Sequence, residues 1–267
     1  MSDLARLPVR GQPPGLVVPP ARMAAWRDGR PLKRWRYVGL YGEDVMLCAA
    51  RVRIGPLAQA FWATWDRSRL AGATTFRPGR VDLADGVLRA GTVDLRWSAD
   101  GEAVEVTSRH GRSYIWTRKQ PLHAEGTVDG RPVALRGLLD DSAGYHARAT
   151  SWRWCAGVGE TPGGAALAWN LVDGVHDAPT ASERTVWVDG AARELPPTAF
   201  AADLSEVRGA GGALLRFGEE ARRERSEHLG LVTSDYAQPF GTFSGSLAAD
   251  VVVARGWGVM ERHDVRW

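Results

Sequence analysis

The amino-acid sequence predicts an all-β protein built from antiparallel strands, and two observations support this prediction. From Trp35 onward, short runs rich in β-branched and aromatic residues follow one another, among them WRYVGLY, QAFWATWD and SYIWTRK. Turn signals such as His110-Gly111 and Asp129-Gly130 separate these runs at intervals of about 8–12 residues, the spacing typical of sandwiches and barrels. The chain has 267 residues, 44% of them hydrophobic, and can bury a sizeable core without disulfides.

Two segments show how individual strands are recognised. In TVDLRWS, Val93, Leu95 and Trp97 share one face while charged residues occupy the other, which is the pattern of a half-buried strand. The run VEVTSRHGRSYIW indicates a hairpin that turns at His110-Gly111. No window offers three clean helical turns, so helix is expected only as short pieces at 20–27 and 140–149.

A weak internal sequence similarity is relevant to the domain organisation. HAEGTVDGRPVAL (123–135) and RTVWVDGAARELP (184–196) both read as strand, Asp-Gly turn and strand. Either this common turn recurs by chance, or two similar antiparallel sheets stand in tandem, each curled into a barrel or half-barrel. The alternation of the strands is interrupted at 136–142, and we predict domains at 37–139 and 140–267.

The first 36 residues differ from the rest in composition and charge. Prolines interrupt this segment repeatedly, which predicts an extended strap lying over the body of the protein. The strap carries eight basic and two acidic side chains, a charge of +6 that leaves −3 for residues 37–267. Since no compact basic and aromatic motif follows, the net charge of +3 does not indicate nucleic-acid binding.

Cysteine content and hydropathy indicate the cellular compartment in which we expect the protein. Cys48 and Cys155 are too few for a zinc site and are expected to be buried thiols in a reducing environment. The start of the chain lacks the apolar core of an export signal, and no apolar run approaches the ~20 residues needed to span a bilayer. We therefore expect a soluble cytoplasmic protein, and the oligomeric state stays open.

The segment DDSAGYHARATSWRWCAGVGE contains the densest set of chemically active side chains. The candidate ligand-binding residues are Tyr145, Arg148, Trp152 and Trp154, with His146 as a candidate acid or base. Trp152 and Trp154 alternate with an arginine, so both indoles point to the same side of a strand. Two such indoles either fill a core or form a flat apolar wall for a ligand, and both interpretations stay open.

A second polar segment, AWNLVDGVHDAPTASERTVW, follows closely. Asn170 is a further candidate for ligand binding, and Asp173, His176, Asp177 and Glu183 are candidates for acid/base catalysis. A polar connection over a barrel mouth commonly carries binding groups, although a solvated loop would have the same composition. No tight His-x-His or HExxH spacing occurs, so no metal site is predicted.

Standard catalytic signatures do not occur in this sequence. It contains no G-x-S-x-G nucleophile elbow, no P-loop and no G-x-G-x-x-G after a strand. GTFSGS (241–246) lies in a β-rich run without a following helix, so its glycines are interpreted as structural. No cofactor is expected.

Several motifs resemble a known family. An uncharacterised bacterial family resembles this chain in four segments. They are GYHARATSWRWCAGVG (144–159), NLVDGVHD, YAQPFGTFSGSL and GWGVMERHDVRW. That family is similar to the hydroxyneurosporene synthase and AttH group, whose wider relatives include tocopherol-cyclase-like and fungal Diels–Alderase proteins. The resemblance implies two tandem lipocalin-like antiparallel barrels or half-barrels, with a hydrophobic ligand between or within them.

The resemblance does not extend to the hydratase motif. Hydratase-like members carry an Asp-x-Asn-Trp-Gly-type run after a Gly-Tyr pair, whereas here Gly144-Tyr145 is followed by His146 and then ARATSW. Hydratase activity therefore cannot be transferred from the family to this chain.

Three functions remain open at this stage. The first is an enzyme that performs cofactor-free hydration, isomerisation or cyclisation on an apolar polyene, polyketide or isoprenoid. His146 would donate the proton, Asp173, Asp177 or Glu183 would orient it, and the indoles would stack on the substrate. The second is a non-catalytic lipid- or pigment-binding protein with the same pocket. The third is a carbohydrate-active protein, because tryptophans and carboxylates also suit sugars.

Overall fold

The computed structural model describes residues 3–229 and 232–267, and strands dominate it. The first thirteen strands are β1 (Val9–Arg10), β2 (Trp26–Arg27), β3 (Arg30–Pro31), β4 (Lys33–Tyr41), β5 (Met46–Ile54), β6 (Leu57–Trp65), β7 (Leu70–Thr75), β8 (Val81–Asp82), β9 (Val87–Ala90), β10 (Val93–Ala99), β11 (Val104–His110), β12 (Ser113–Val128) and β13 (Arg131–Gly144). The remaining nine are β14 (Ala149–Glu160), β15 (Ala166–Asp173), β16 (Thr185–Val188), β17 (Ala191–Glu194), β18 (Ala199–Phe200), β19 (Glu206–Arg208), β20 (Leu214–Leu229), β21 (Val232–Ala248) and β22 (Val251–Arg266). Single 3-10 turns lie at Asp3–Arg6, Pro78–Arg80 and Ala210–Gly212, and no α-helix occurs in the described part of the chain.

The strands form two large antiparallel sheets. The first has the order β7-β6-β5-β4-β13-β12-β10-β9-β8, with β11 pairing to β12 and β1 pairing to β11. The second has the order β17-β16-β15-β14-β22-β21-β20-β19-β18, and β2 and β3 form a separate small ribbon. The protein is therefore all-β, with two curled half-barrels in tandem, which confirms the predicted fold class. No helix in the described residues is long and apolar enough to cross a membrane.

The longest hairpin of the first sheet follows from its turn. Asp129 and Gly130 both have positive φ values, 49° and 74°, as a two-residue type I′ turn requires. This turn pairs β12 with β13 symmetrically about itself, and Lys119 therefore lies opposite Asp140. The register of the hairpin thus decides which side chains meet at its far end.

Each sheet packs one face on its own core and the other on a shared core. Val38, Leu40 and Leu88 belong to the core enclosed by the first sheet, and Trp169 and Leu215 belong to the core enclosed by the second. The shared core lies between the sheets and is built from both of them, as shown by its members Tyr37, Tyr41, Met46, Trp154, Val172 and Phe240. The two cysteines are free and buried, as expected, with Cys48 in the shared core and Cys155 inside the second sheet.

The N-terminal segment lies along the body as a strap. Val9 pairs with Thr107 of β11, so the strap begins as an edge strand of the first sheet. Further along, Tyr114 Oη donates a hydrogen bond to the carbonyl oxygen of Val17 at 2.6 Å, and Tyr145 Oη donates to that of Ala24 at 2.8 Å. This segment is therefore attached by backbone pairing and by two buried tyrosines, and a separate strap of residues 1–36 stays a prediction.

Two local expectations need revision. The predicted short helix at 140–149 is wrong, because residues up to Gly144 continue β13 and pair with β4 and β12. The predicted helix at 20–27 is also wrong, since this stretch ends in β2 and is otherwise irregular. The chain passes from the first sheet to the second at 145–148, and the division into domains at 139/140 stays a prediction.

Gly137 tests how closely the central strands pack. A β-carbon at this position would overlap the carbonyl oxygen of Gly39 on β4. We expect Gly137→Ala to lower the free energy of unfolding by about 1–3 kcal/mol, because overpacking a dense interior displaces backbone. Urea denaturation followed by tryptophan fluorescence measures this change. Gly163→Ala is the matched control, because the nearest atom to its added carbon is the Thr161 hydroxyl at 3.8 Å. Equal stabilities of the two variants would contradict the packing described here.

Candidate functional site

A cavity of about 280 Å³ lies between the two sheets, at one end of the shared core. Five of the residues predicted for the site line it, namely His146, Trp152, Trp154, His176 and Glu183. They come from the connection between β13 and β14, from β14 itself and from the loop between β15 and β16, and strands of both sheets complete the lining.

Aromatic rings form one wall of the cavity. Trp152 stacks nearly parallel to Trp35 of the first sheet, with 6.3 Å between ring centroids and 10° between planes. Trp154 meets the edge of Tyr37 at 5.4 Å. The Trp154 indole N–H donates to Asn170 Oδ1 at 2.7 Å, and the Trp152 N–H also has a carboxylate acceptor. Because their polar edges are satisfied by the protein, these indoles present apolar surface to the cavity and also pack against the shared core.

Lys119 is the centre of a buried ion cluster that joins the two sheets. Its ammonium donates to Asp140 Oδ2 at 2.8 Å, across the β12–β13 pair. The same ammonium lies 3.4 Å from Oε1 of Glu183, in the loop between β15 and β16. Lys119 is 4% exposed and Glu183 is 2% exposed. The cluster therefore holds one positive charge and two carboxyl groups away from water.

The electrostatics of this cluster favour a protonated Glu183. Burial raises the pKa of Glu183, and the Asp140 carboxylate raises it further, while Lys119 and Asn170 oppose the shift. Burial by itself lowers the pKa of Lys119, but its two carboxyl partners raise it above the ordinary value. One ammonium cannot neutralise two carboxylates in a medium that solvates ions poorly. Asp140 is the closer partner of Lys119, and Glu183 is the carboxyl group whose pKa is raised.

The loop that carries Glu183 is fixed by its neighbours. The Ser182 backbone N–H and hydroxyl both donate to Glu194 Oε1, at 2.7 and 2.8 Å. The buried Arg184 guanidinium donates to the carbonyl oxygen of Asp177 at 2.8 Å. Asn170 Nδ2 donates to the carbonyl oxygen of Glu183 at 3.0 Å. With a fixed residue on each side, the Glu183 side chain is held toward Lys119.

His146 and His176 are buried with one ring nitrogen each unpaired. His146 packs beside Trp35 and His110, at centroid distances of 4.9 and 5.5 Å. His176 Nδ1 shares a 3.0 Å hydrogen bond with Ser108 Oγ. His146 Nδ1 and His176 Nε2 have no partner among the described residues. Burial lowers the pKa of both rings well below the ordinary value, so both are neutral at neutral pH.

A second buried carboxyl group, Glu261 on β22, was missed by the sequence analysis. It accepts hydrogen bonds from the Trp152 indole at 2.8 Å, from Tyr236 Oη at 3.0 Å and from Gln238 Nε2 at 3.0 Å. Burial raises its pKa, although the bonds from Trp152 and Tyr236 oppose this shift. All three donors are neutral, so the group has no direct ionic partner among the described side chains.

A period-two reading of the last strand would have identified Glu261. Trp257, Val259, Glu261, His263 and Val265 alternate along β22 and face the shared core or the cavity. The apolar members of this series mark the buried face, and the two titratable members stand out on it. This signal was available in GWGVMERHDVRW.

Five predicted residues do not line the cavity. Asp173 and Asp177 are exposed, and Asp177 accepts a hydrogen bond from the Gly174 N–H at 2.8 Å within its own turn. Arg148 is exposed, and Tyr145 is buried beneath the strap instead. Asn170 does not line the cavity, but it connects Trp154 to Glu183. No group of three or more metal-ligating side chains occurs in the described part of the chain.

Comparison with known proteins identifies the family. A search of curated proteins found no match. Among solved structures, kievitone hydratase from Nectria haematococca is 13% identical, with a TM-score of 0.49 and coverage of 86% of this chain and 88% of that chain. A protein from Nitrosomonas europaea titled putative AttH is also 13% identical, with a TM-score of 0.48 and coverage of 92% and 98%. Such low identities and TM-scores say nothing about activity.

The family model described as "Domain of unknown function (DUF2804)" matches residues 104–267. The matched region begins with β11. It contains the Lys119–Asp140–Glu183 cluster and also Glu261, the second buried carboxyl group of the cavity. The match confirms the resemblance to an uncharacterised family, and a bacterial origin stays a prediction. Because the match spans well over half of its length, the chain belongs to the DUF2804 family.

Proposed function

We propose that this protein binds an apolar small molecule between its two sheets and catalyses a cofactor-free proton-transfer reaction on it. The reaction class is hydration, isomerisation or cyclisation of a polyene, polyketide or isoprenoid. The observation that carries the proposal is a buried carboxyl group of raised pKa, Glu183, that opens on an apolar cavity. A carboxylic acid kept protonated near neutral pH is suited to act as a general acid.

Glu183 is the proposed proton donor. Its Oε–H bond breaks as the proton passes to a carbon–carbon double bond of the substrate, and Glu183 becomes a carboxylate. The Lys119 ammonium, 3.4 Å away, stabilises that carboxylate without moving. The faces of Trp152 and Trp154 stabilise the positive charge that develops on the substrate. The cation, directly or after ring closure, then either adds water and releases a proton or loses a neighbouring proton. The released proton restores the acid form of Glu183.

This assignment differs from the sequence-based expectation that His146 donates the proton. A ring whose pKa is lowered by burial carries no extra proton to give at neutral pH. The free nitrogens of His146 and His176 suit acceptance of a hydrogen bond from substrate or water. The exposed Asp173 and Asp177 have no role in the proposed reaction.

A non-catalytic binding protein is the second candidate. The observation in its favour is that both indole N–H groups of the wall already have acceptors, so the wall offers a ligand only apolar faces. A carrier would need the same wall and would use the carboxyl groups only to orient its cargo.

Deuterium transfer distinguishes the two candidates. Hydration, isomerisation and cyclisation initiated by protonation all place a solvent deuteron on carbon when the reaction runs in D₂O. The purified protein is incubated in D₂O with an organic-solvent extract of the organism that encodes it, and untargeted mass spectrometry identifies compounds that gain deuterium. We expect Glu183→Gln to slow this incorporation about 10²-fold or more, because it removes the donated proton.

Two variants control this experiment. His146→Gln is expected to stay within about tenfold of the unmodified protein, since proton donation is assigned elsewhere. Asp177→Asn changes an exposed carboxylate of the same loop and should leave the rate unchanged. If compounds bind and none gains deuterium with the unmodified protein, the protein is a carrier and the catalytic proposal is wrong.

Protonation of Glu183 also predicts a pH dependence of stability. The folded protein holds this proton more tightly than the unfolded chain, where the pKa is near 4.5. Raising the pH above that value therefore favours the unfolded state, up to the raised pKa of the folded protein. From pH 5 to pH 8, we expect Glu183→Gln to lose less stability than the unmodified protein, by about 1–3 kcal/mol.

Urea denaturation at each pH measures this difference. Glu125→Gln, at an exposed position on β12, is the matched control and should follow the unmodified protein. Parallel curves for Glu183→Gln and the unmodified protein would mean that Glu183 is not protonated in the folded state.

A further inference from the structure

Arg223 on β20 is a cation on the cavity wall without a carboxylate partner. Its guanidinium lies 3.9 Å from the centroid of Phe61 and 5.0 Å from that of Tyr236. Nη2 donates to Thr74 Oγ1 at 3.3 Å, and Nη1 is buried without a hydrogen-bond partner among the described residues. No carboxylate lies within 4.0 Å of this guanidinium in the described part of the chain, whereas Arg225, two residues along, pairs with Glu227 at 2.6 Å.

A β-bulge directs Arg223 into the cavity. The pairing of β20 with β21 shifts by one residue between Glu219 and Ala221, which leaves Glu220 as the extra residue. Before the bulge, Phe217 faces the core enclosed by the second sheet. After it, Arg223 faces the cavity, although both residues have odd numbers. Because of the inserted residue, odd-numbered side chains before and after the bulge point to opposite faces of the sheet. Bulges near functional sites commonly redirect side chains in this way.

The partners of Arg223 place it away from Glu183 along the aromatic wall. Tyr236, beneath the guanidinium, donates to Glu261, which in turn accepts from Trp152. Glu183 connects through Asn170 to Trp154 instead. The cation is thus linked to Trp152 and the proposed acid to Trp154, at different points of the aromatic wall. A ligand that contacts both ends must combine an apolar body with two different polar groups.

We infer that the ligand carries an anionic head group, a carboxylate or a phosphate, which Arg223 binds while the apolar body lies on the tryptophan wall. A guanidinium offers several N–H donors in one plane and matches carboxylate and phosphate oxygens. The rings of Phe61 and Tyr236 hold the guanidinium in place, so little freedom is lost when an anion binds. This inference rests on the proposed function and narrows its substrate class to an amphiphilic acid.

The test compares ligands that differ only in their head group. The neutral fluorescent probe N-phenyl-1-naphthylamine reports occupancy of the cavity, and decanoate, decyl phosphate and decan-1-ol compete with it, each below its critical micelle concentration. We expect at least one of the anions to displace the probe at about tenfold lower concentration than the alcohol, because a charge-assisted hydrogen bond forms in a poorly solvated site. Whichever anion is preferred identifies the head group as carboxylate or phosphate.

Arg223→Met keeps an apolar stem on Phe61 and removes the charge. It should bind the probe as the unmodified protein does and lose the preference for anions. Arg225→Met is the matched control. It removes a cation that is already paired with Glu227, so this variant should keep the preference for anions. An alcohol that competes as well as both anions, or a preference that survives in Arg223→Met, would overturn the inference.

A third variant keeps the inference testable if Arg223→Met destroys the cavity. If that protein no longer binds the probe, Arg223→Lys restores a positive charge at the same position. Probe binding with the anion preference retained in Arg223→Lys supports the inference, and loss of probe binding there too assigns Arg223 a purely structural role and overturns it. Deuterium transfer that depends on Glu183 would survive this failure, so the two proposals are separable.

Discussion

The site depends on a single buried ammonium, that of Lys119, placed between two carboxyl groups from different sheets. Asp140 reaches it across the β12–β13 hairpin, and Glu183 reaches it from the second sheet. In an interior that solvates ions poorly, removing this cation would leave at least one carboxylate without compensation. The same ammonium thus connects the sheets, lies closer to Asp140 than to Glu183, and leaves Glu183 as the carboxyl group whose pKa is raised.

The rest of the cavity follows from how two curled sheets meet. Their facing surfaces pack closely where small and aliphatic side chains alternate, as at Ala156 and Val158. Towards the other end of β14, the large side chains of Trp152 and Trp154 line an open space instead. The strands that border this space also contribute polar groups, such as Lys119 on β12 and Glu261 on β22. An apolar space with a few fixed polar groups is the usual form of a small-molecule site.

Local patterns predicted the fold and part of the site, and long-range contacts account for what was missed. Trp152 and Trp154 were found because period-two alternation is visible within one strand. Glu183 could not be separated from Asp173 and Asp177 by composition, since what distinguishes it is the anchoring of its loop. The bulge at Glu220 leaves no simple mark in the sequence, so the orientation of Arg223 could not be predicted. The Lys119–Asp140 pair could have been predicted from the Asp129-Gly130 turn, had the strands been extended far enough from it.

The basic residues of the chain give a final argument for the importance of Lys119. Of 34 basic side chains, only Lys33 and Lys119 are lysines, and they are 1% and 4% exposed. Arginine is thus the basic residue everywhere in the chain except at these two buried positions. At position 119 the geometry supplies a reason, because a compact ammonium with three donors can approach two carboxyl groups from different directions. A planar guanidinium instead favours a two-point pair with one carboxylate. Lysine is therefore the basic residue that can bind Asp140 and still stabilise Glu183 when it loses its proton.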